Sequence, residues 1–291
     1  MKKFILTTLA LAIMVGFASA QTQSGWKKYD NNRIAVSFDG NSAPDNAYKW
    51  PTGDPDDWGA AVATCAILAK LDLQSKLVHC SYNNFIDAPS GPDEENELKI
   101  GLEGAFKFWN FSDGVLFDVT TELAVTRSHL ALQIMRSTAE DPLYFLHAGL
   151  SEFVFQVIEE VVKLGGIESL NHLYVISHSG FNEKEKRRPY HRDWSDIVAI
   201  SGGRIKYKKI CDQNGSHDPN VLWHSGKDFS VWYWMRDHKD PAVRWIYERA
   251  KIHPSGVFDI SDCGMLYYLI FEDEMGNPEK FRKFIGNESK F

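Results

Sequence analysis

The chain has 291 residues, of which 44% are hydrophobic and 24% are charged, a composition typical of a globular protein with a substantial core. Its 32 basic and 39 acidic residues give a net charge of −7, which excludes polyanion binding through bulk charge, and we expect no nucleic-acid partner. The most basic run, residues 183–188, is short and contains two glutamates, so we interpret it as a solvated loop.

The first twenty residues are predicted to form a cleaved signal peptide. Lys2 and Lys3 precede an apolar run at 4–17, and the small residues 18–20 form a cleavage site. That run is too short for a spanning helix, and no later stretch is long and apolar enough. We therefore expect a periplasmic or secreted protein that has no membrane partner. Its mature part, residues 21–291, is predicted to be a single domain because no linker or repeat divides it.

The four cysteines are widely spaced and form no C-x-x-C pair, so a zinc knuckle is not indicated. They are Cys65, Cys80, Cys211 and Cys263. Export permits disulfides, but a chain of this length does not need them. Free buried thiols are therefore favoured, and bridges stay open as the alternative.

Strand-like and helix-like segments alternate along the chain. In chain order, we predict strand 33–38, helix 58–71, strand 76–80, helix 94–109, strand 115–119, helix 121–137, strand 143–147, helix 151–164, strand 172–177, strand 204–210, helices 230–235 and 241–251, and a last buried helix at 261–271. The alternation predicts an α/β fold with an open, mainly parallel sheet and helices on both faces.

Polar residues follow nearly every predicted strand, where ligands bind in open parallel sheets. Asp39 follows the first strand, Asp56 and Asp57 lie just before the first helix, and Asp262 lies at the last one. Carboxylates that share a site raise one another's pKa unless a cation neutralises them, and oxygen ligands suit Ca²⁺ or Mg²⁺. A cation site is therefore predicted, with helix capping by the acidic pair as the structural alternative.

Two common catalytic motifs are missing. Residues 177–180 (SHSG) lack the G-x-S-x-G elbow, which disfavours an α/β-hydrolase. The chain also contains no G-x-x-x-x-G-K-[ST] sequence, so P-loop chemistry is excluded.

The segment 54–60 (DPDDWGA), after a strand that ends at Asp39, resembles the N-terminal aspartate motif of the nucleoside hydrolase superfamily. Members are calcium-dependent and cleave N-ribosides with an open α/β sheet. Residues 143–150 and 172–180 are similar to two later strands of that family, the first of which lends a backbone carbonyl to calcium. The resemblance implies a calcium ion held by Asp39, Asp57, Asp262 and a carbonyl near Ala148.

The same resemblance implies a sugar site. Residues 212–214 are similar to the acid-x-Asn pair that holds sugar hydroxyls, and Asn84 matches a ribose-contacting asparagine. Asn84, Asp212 and Asn214 are therefore expected to bind substrate. Two departures favour a secreted, carbohydrate-associated branch: the loop from Asp39 to the aspartate pair is longer than in the family, and Ser261 replaces a histidine.

The leading hypothesis is an exported, Ca²⁺-dependent hydrolase that cleaves an N- or O-glycosidic bond of a furanose-like sugar, in a small glycoside or an oligosaccharide. Asp39 or Asp56 is the expected base for the attacking water. His178 and His191 are the candidate acids for the leaving group, because histidine titrates near neutral pH.

Trp50, in the long loop, and Trp194, after the fifth strand, are predicted to flank the site as substrate platforms, with ordinary packing as the alternative. Two other functions stay open. One is a non-catalytic, calcium-dependent carbohydrate-binding protein that keeps the fold. The other is an exported enzyme with its own carboxylate pair at Asp118 and Glu122.

Overall fold

The computed structural model describes residues 25–214 and 223–287. The predicted signal peptide lies outside these residues. Within them, no helix is both long and apolar enough to cross a bilayer.

Six parallel strands form one open sheet, as predicted. They are β1 (Arg33–Phe38), β2 (Leu77–Tyr82), β3 (Leu116–Asp118), β4 (Leu143–Ala148), β5 (Leu173–Ser177) and β6 (Lys206–Lys209). Their order is β3-β2-β1-β4-β5-β6, and every neighbouring pair is parallel. A short antiparallel pair, β7 (His224–Ser225) with β8 (Phe258–Asp259), stands apart from this sheet.

Helices cover both faces of the sheet, which confirms the predicted α/β class. The helices are α1 (Asp57–Lys70), α2 (Glu97–Trp109), α3 (Val119–Met135), α4 (Ser151–Lys163), α5 (Gly180–Lys184), α6 (Trp194–Ser201), α7 (Tyr233–Arg236), α8 (Pro241–Ala250), α9 (Cys263–Phe271) and α10 (Pro278–Ile285). One apolar core packs α1, α2, α8, α9 and α10 on one face, and a second packs α3, α4 and α6 on the other. Alternate residues of each strand enter opposite cores, as in β1, where Ile34 and Val36 face the first and Ala35 the second.

Three helices were not expected from the sequence, namely the short α5, α6 and α10. Helix α6 begins with a capping box between Asp193 and Asp196 and ends at Gly202, which has φ 60°. Helix α10 follows the segment predicted to be the last helix, so that prediction was wrong about the C-terminal end. The four cysteines are free thiols, as favoured above.

The strand order brings the ends of β1 and β4 together. Strands β2 and β3 extend from β1 in one direction, and β4 to β6 extend in the other. In doubly wound sheets this reversal opens a crevice beyond the strand ends. Phe38 pairs with Ala148, so Asp39 and Gly149 are the first residues past the crevice edge.

An imidazole pair, of which His79 is buried and His129 is half-buried, lies away from this crevice and predicts a pH dependence of stability. The Nδ1 atoms of His79 and His129 are 3.0 Å apart, and both rings pack on Phe117. Burial lowers the pKa of both rings, most strongly that of His79, where His129 contributes as well. The unfolded chain therefore binds more protons below about pH 6.5, and the free energy of unfolding falls as the pH falls.

We expect His79→Phe to flatten this dependence between pH 7 and pH 5, as measured by urea unfolding at each pH. His172→Gln, which removes a partly exposed imidazole just before β5, is the control. Equal slopes for wild type and His79→Phe would contradict the assignment.

Candidate functional site

A cavity of about 420 Å³ opens at the crevice between β1 and β4. Its wall includes four aspartates, two histidines and one arginine, namely Asp39, Asp54, Asp56, Asp262, His178, His253 and Arg187. They come from the loop after β1, the segment after β5, the loop after α8 and the start of α9, so residues distant in sequence meet here. Ligands of open parallel sheets are expected to bind where the strand order reverses, here between β1 and β4, and a polar wall at this position is typical of a ligand site.

Asp39 lines this wall, and Asp57, which does not line it, is hydrogen-bonded to the backbone of Asp39. The backbone N–H of Asp39 donates to Asp57 Oδ2 over 2.7 Å. Both side chains are buried, and the second oxygen of each, Oδ1, has no hydrogen-bond partner. Burial raises the pKa of both carboxyls well above the usual range, and neighbouring aspartates raise it further.

Asp54 and Asp56 share a hydrogen bond at the N-terminus of α1. Asp56 caps the helix by accepting the backbone N–H of Asp57 at 2.9 Å, so the capping interpretation is correct for this residue. Burial raises the pKa of Asp56 to about 6, and the charge of Asp262 adds to this effect. Burial and Asp56 raise the pKa of Asp54 well above its usual range, so Asp54 is the protonated partner that donates to Asp56.

His178 lies between two carboxylates. Its Nε2 is 2.6 Å from Asp262 Oδ1, and its Nδ1 is 3.5 Å from Asp212 Oδ1. Burial alone lowers the pKa of His178, but the two carboxylates outweigh it and raise the pKa to about 10. The backbone N–H of Gln213, 3.2 Å from Nδ1, suits a neutral ring instead. We favour the protonated ring because two negative charges flank it.

Aromatic side chains form the outer wall. Trp50 lines the cavity, is 50% exposed, and packs against Tyr48 and Phe181 at centroid distances of 5.7 and 5.6 Å. Lys49 Nζ lies 4.1 Å from the centre of the Trp50 ring. Trp50 therefore lines the cavity, and its role as a substrate platform stays a prediction.

Ala148 and Asn84 lie behind the cavity wall. Ala148 ends β4, and a Cβ on the next residue, Gly149, would come within 2.6 Å of both Asp39 and Asn84. Asn84 is fully buried and does not line the cavity, which corrects its predicted contact with a sugar. Its Nδ2 donates to Ser37 Oγ, while its Oδ1 is unpartnered and suits a cation better than a substrate.

Two further predicted substrate residues lie side by side. Asn214 lines the cavity with a buried, unpartnered Oδ1, as a hydroxyl-binding residue would. Asp212 does not line it. Its carboxylate accepts the Asn214 backbone N–H and faces His178, so its direct contact with sugar is corrected to an action through the histidine.

Trp194 and His191 lie outside the cavity, and both predictions need correction. Trp194 is 8% exposed and packs in the second core against His147 and Tyr207, because the capping box starts α6 at this residue. His191 is buried beside Tyr190, with Nε2 3.2 Å from Asp87 Oδ2. Trp194 is therefore a core residue, and His191 cannot reach a leaving group in this cavity.

The carboxylate pair proposed as an alternative lines a separate, larger cavity of about 660 Å³ at the β3 edge. Both oxygens of Asp118 are already bonded there. Oδ1 accepts from the backbone and hydroxyl of Thr120, and Oδ2 accepts from Asn83 and Asn96. Asp118 therefore caps α3 and ties two loops together, and Glu122 gains no catalytic partner from it.

The buried aspartates also show whether a cation fits. No ready-made group of three acidic, histidine or cysteine ligands is found in residues 25–214 and 223–287. Even so, unpartnered buried oxygens on Asp39, Asp57 and Asn84 are hard ligands that lack a donor. Burial, and after it the neighbouring aspartates, raise the pKa of Asp39 and Asp57, and a bound cation would oppose both effects. The residues therefore fit a hard cation.

Three residues of the site were not assigned a role from the sequence. Asp54 was noted only as part of the motif, yet it lines the cavity beside Asp56. Asp259, whose pKa burial raises, accepts the backbone N–H of Ser261 below the cluster. Arg187, in the run interpreted as a solvated loop, is 2% exposed, so that interpretation was wrong for it.

Comparisons with known proteins give one distant relative. The chain is 26% identical over 258 residues to Uncharacterized protein P22 of Formosa agariphila, a match that covers 84% of this chain and 85% of that protein. No protein-family model and no solved structure matches the chain. The resemblance to the nucleoside hydrolase superfamily therefore rests on the short motifs named above.

Proposed function

We propose that this protein is an exported, calcium-dependent hydrolase that cleaves the N- or O-glycosidic bond of a furanose-like sugar. The observation that carries the proposal is the set of buried aspartates around one 420 Å³ cavity, with carboxylate oxygens that have no partner. A volume of this size accommodates one or two sugar units.

Asp39, Asp57, Asp262 and the carbonyl of Ala148 would hold the calcium, with Asn84 as an added candidate. Bound calcium supplies a template for vicinal sugar hydroxyls and a modest acidification of water. Asn214 offers its free Oδ1 to a further hydroxyl. Trp50 covers the sugar from the solvent side.

Asp56 is the proposed general base. Its carboxylate lines the cavity directly before Asp57, and a carboxylate is a base strong enough to assist an attacking water. It takes a proton from the water whose oxygen bonds to the anomeric carbon. The bond to the leaving group breaks at the same carbon, and His178 gives its proton to that group. The nearby carboxylates stabilise the positive charge that develops on the sugar ring.

We expect Asp56→Asn to lower kcat by about 10²–10⁴-fold, because the amide cannot accept the proton from water. The measurement is sugar release from a panel of nucleosides and p-nitrophenyl furanosides, in calcium. Asp113→Asn, which alters an exposed aspartate before β3, is the matched control and should keep wild-type rates. Wild-type rates for Asp56→Asn would remove the base from this proposal.

A second candidate is a carbohydrate-binding protein without catalysis. The observation in its favour is Ser261, a buried serine that stands where the resemblance expects a histidine. If the wild type binds a sugar by calorimetry but releases no product from any panel member, this second function replaces the first.

A further inference from the structure

Arg187 is a buried cation in the wall of the proposed sugar cavity. Its Nε donates to Asp45 Oδ2 over 2.7 Å, and its Nη2 donates to Asn41 Oδ1 over 2.9 Å. The guanidinium also stacks between two cavity-lining rings, 4.6 Å from the centre of Tyr48 and 4.1 Å from that of Phe85. Two hydrogen bonds and two rings thus fix its plane before any ligand binds.

The remaining nitrogen of this group has no partner. Nη1 is buried and makes no hydrogen bond. A buried cationic donor without an acceptor is unfavourable, because folding removes its hydrogen bonds to water and no hydrogen bond within the protein replaces them. Since the other two nitrogens are held by the protein, Nη1 is the one left for a ligand in the cavity.

The charge around Arg187 is not balanced by its own partner. Asp45 also accepts from Arg188 Nη2 at 2.9 Å, so one carboxylate serves two guanidinium groups. The other carboxylate that attracts Arg187 is Asp39, which belongs to the cation site of the proposed function. A neutral hydroxyl on Nη1 would satisfy the hydrogen bond and leave this charge uncompensated.

We propose that Arg187 Nη1 binds an oxyanion carried by the sugar, so that the ligand is an acidic sugar bearing a carboxylate, sulfate or phosphate group. This inference deepens the proposed function and rests on it for the sugar itself. Arg187 is the specificity-determining residue, and the aspartates of the cavity are left to the hydroxyls and the cation. Guanidinium groups suit such anions because their hydrogen bonds are charge-assisted and their donors are fixed in a plane.

The test is calorimetric binding, in calcium, of three matched pairs: D-glucuronate with D-glucose, glucose 6-sulfate with D-glucose, and D-ribose 5-phosphate with D-ribose. We expect at least one anionic member to bind about tenfold or more tightly than its neutral partner, and the pair that shows this identifies the anion. Arg187→Gln should lower that anion's affinity about 10–100-fold and change the neutral partner's little. Arg188→Gln removes the neighbouring guanidinium on the same carboxylate and should keep the preference.

Equal affinity within all three pairs, no binding of any anionic member at millimolar concentration, or an unchanged preference in Arg187→Gln would each overturn the proposal. If Arg187→Gln does not fold, the wild-type pairs still decide, because they need no variant. A different result would contradict the hydrolase proposal. If the protein prefers the anionic sugars but releases no sugar from any substrate, only the catalytic step is contradicted and the acidic ligand stands. If wild type and Arg187→Gln release neutral sugars at equal rates, only the proposal of an acidic ligand is contradicted and the hydrolase proposal stands.

Discussion

Removal of calcium is expected to lower the melting temperature of the wild-type protein by roughly 5–10 °C, and added Ca²⁺ should restore it. A ligand that binds only the folded state adds about 2.7 kcal/mol of stability at a hundredfold excess over its Kd. Here the cation would also relieve repulsion among buried carboxyls whose pKa values burial and mutual charge raise. The measurement is a thermal melt after EDTA dialysis, with and without calcium.

Asp57→Asn is the informative variant for this experiment. It removes a ligand and a buried negative charge together, so the calcium-dependent shift should disappear while the EDTA melt stays at or above that of wild type. Asp113→Asn, at the surface, should behave as wild type in both conditions. A wild-type melt unchanged by EDTA, with no bound metal by elemental analysis, would falsify the metal site.

The same aspartates give the calcium-free protein a distinct pH dependence. Because the pKa of Asp56 is raised from 3.8 to about 6, the folded state binds more protons than the unfolded state in that window. Without calcium, the contribution of this residue to stability therefore falls as the pH rises from about 4 to about 6. Asp56→Asn should remove that part of the slope.

Local patterns were enough to predict the sheet. All six strands were predicted to within two residues at either end, five of them from largely apolar runs and β6 (KYKK) from an alternation of apolar and basic residues. The order of the strands is a tertiary property, since it depends on which crossover packs where. That order places Asp39 beside Gly149, and the alternation of elements alone did not show it.

The missed parts of the site share a different cause. Arg187 lies among charged residues, so the local composition predicted exposure to solvent, whereas Asp45, Tyr48 and Phe85 bury it from two distant segments. Trp194 follows a strand, which favoured a position at the cavity. A helix cap one residue earlier turned the chain onto the second core instead.

His178→Gln is expected to lower kcat by about 10²–10⁴-fold while leaving KM and the calcium-dependent melt close to wild type. Of the two histidines predicted to protonate the leaving group, only His178 lines the cavity. Its Nε2 is held by Asp262 at 2.6 Å, so a proton for the leaving group would come from Nδ1, which lies 3.5 Å from Asp212 Oδ1 and 3.2 Å from the backbone nitrogen of Gln213. His191→Gln, with its ring held by Asp87 outside the cavity, should retain wild-type kcat.

The dependence on the leaving group separates an acid from a residue that only orients Asp262. A p-nitrophenolate departs with little help, whereas an alkyl alcohol or a nucleobase needs a proton as its bond breaks. If His178 gives that proton, His178→Gln should lose far more activity on alkyl furanosides and nucleosides than on p-nitrophenyl furanosides. Equal losses on both substrate types would mean that His178 acts through its 2.6 Å contact with Asp262, as a positioning residue, and that the proton comes from elsewhere.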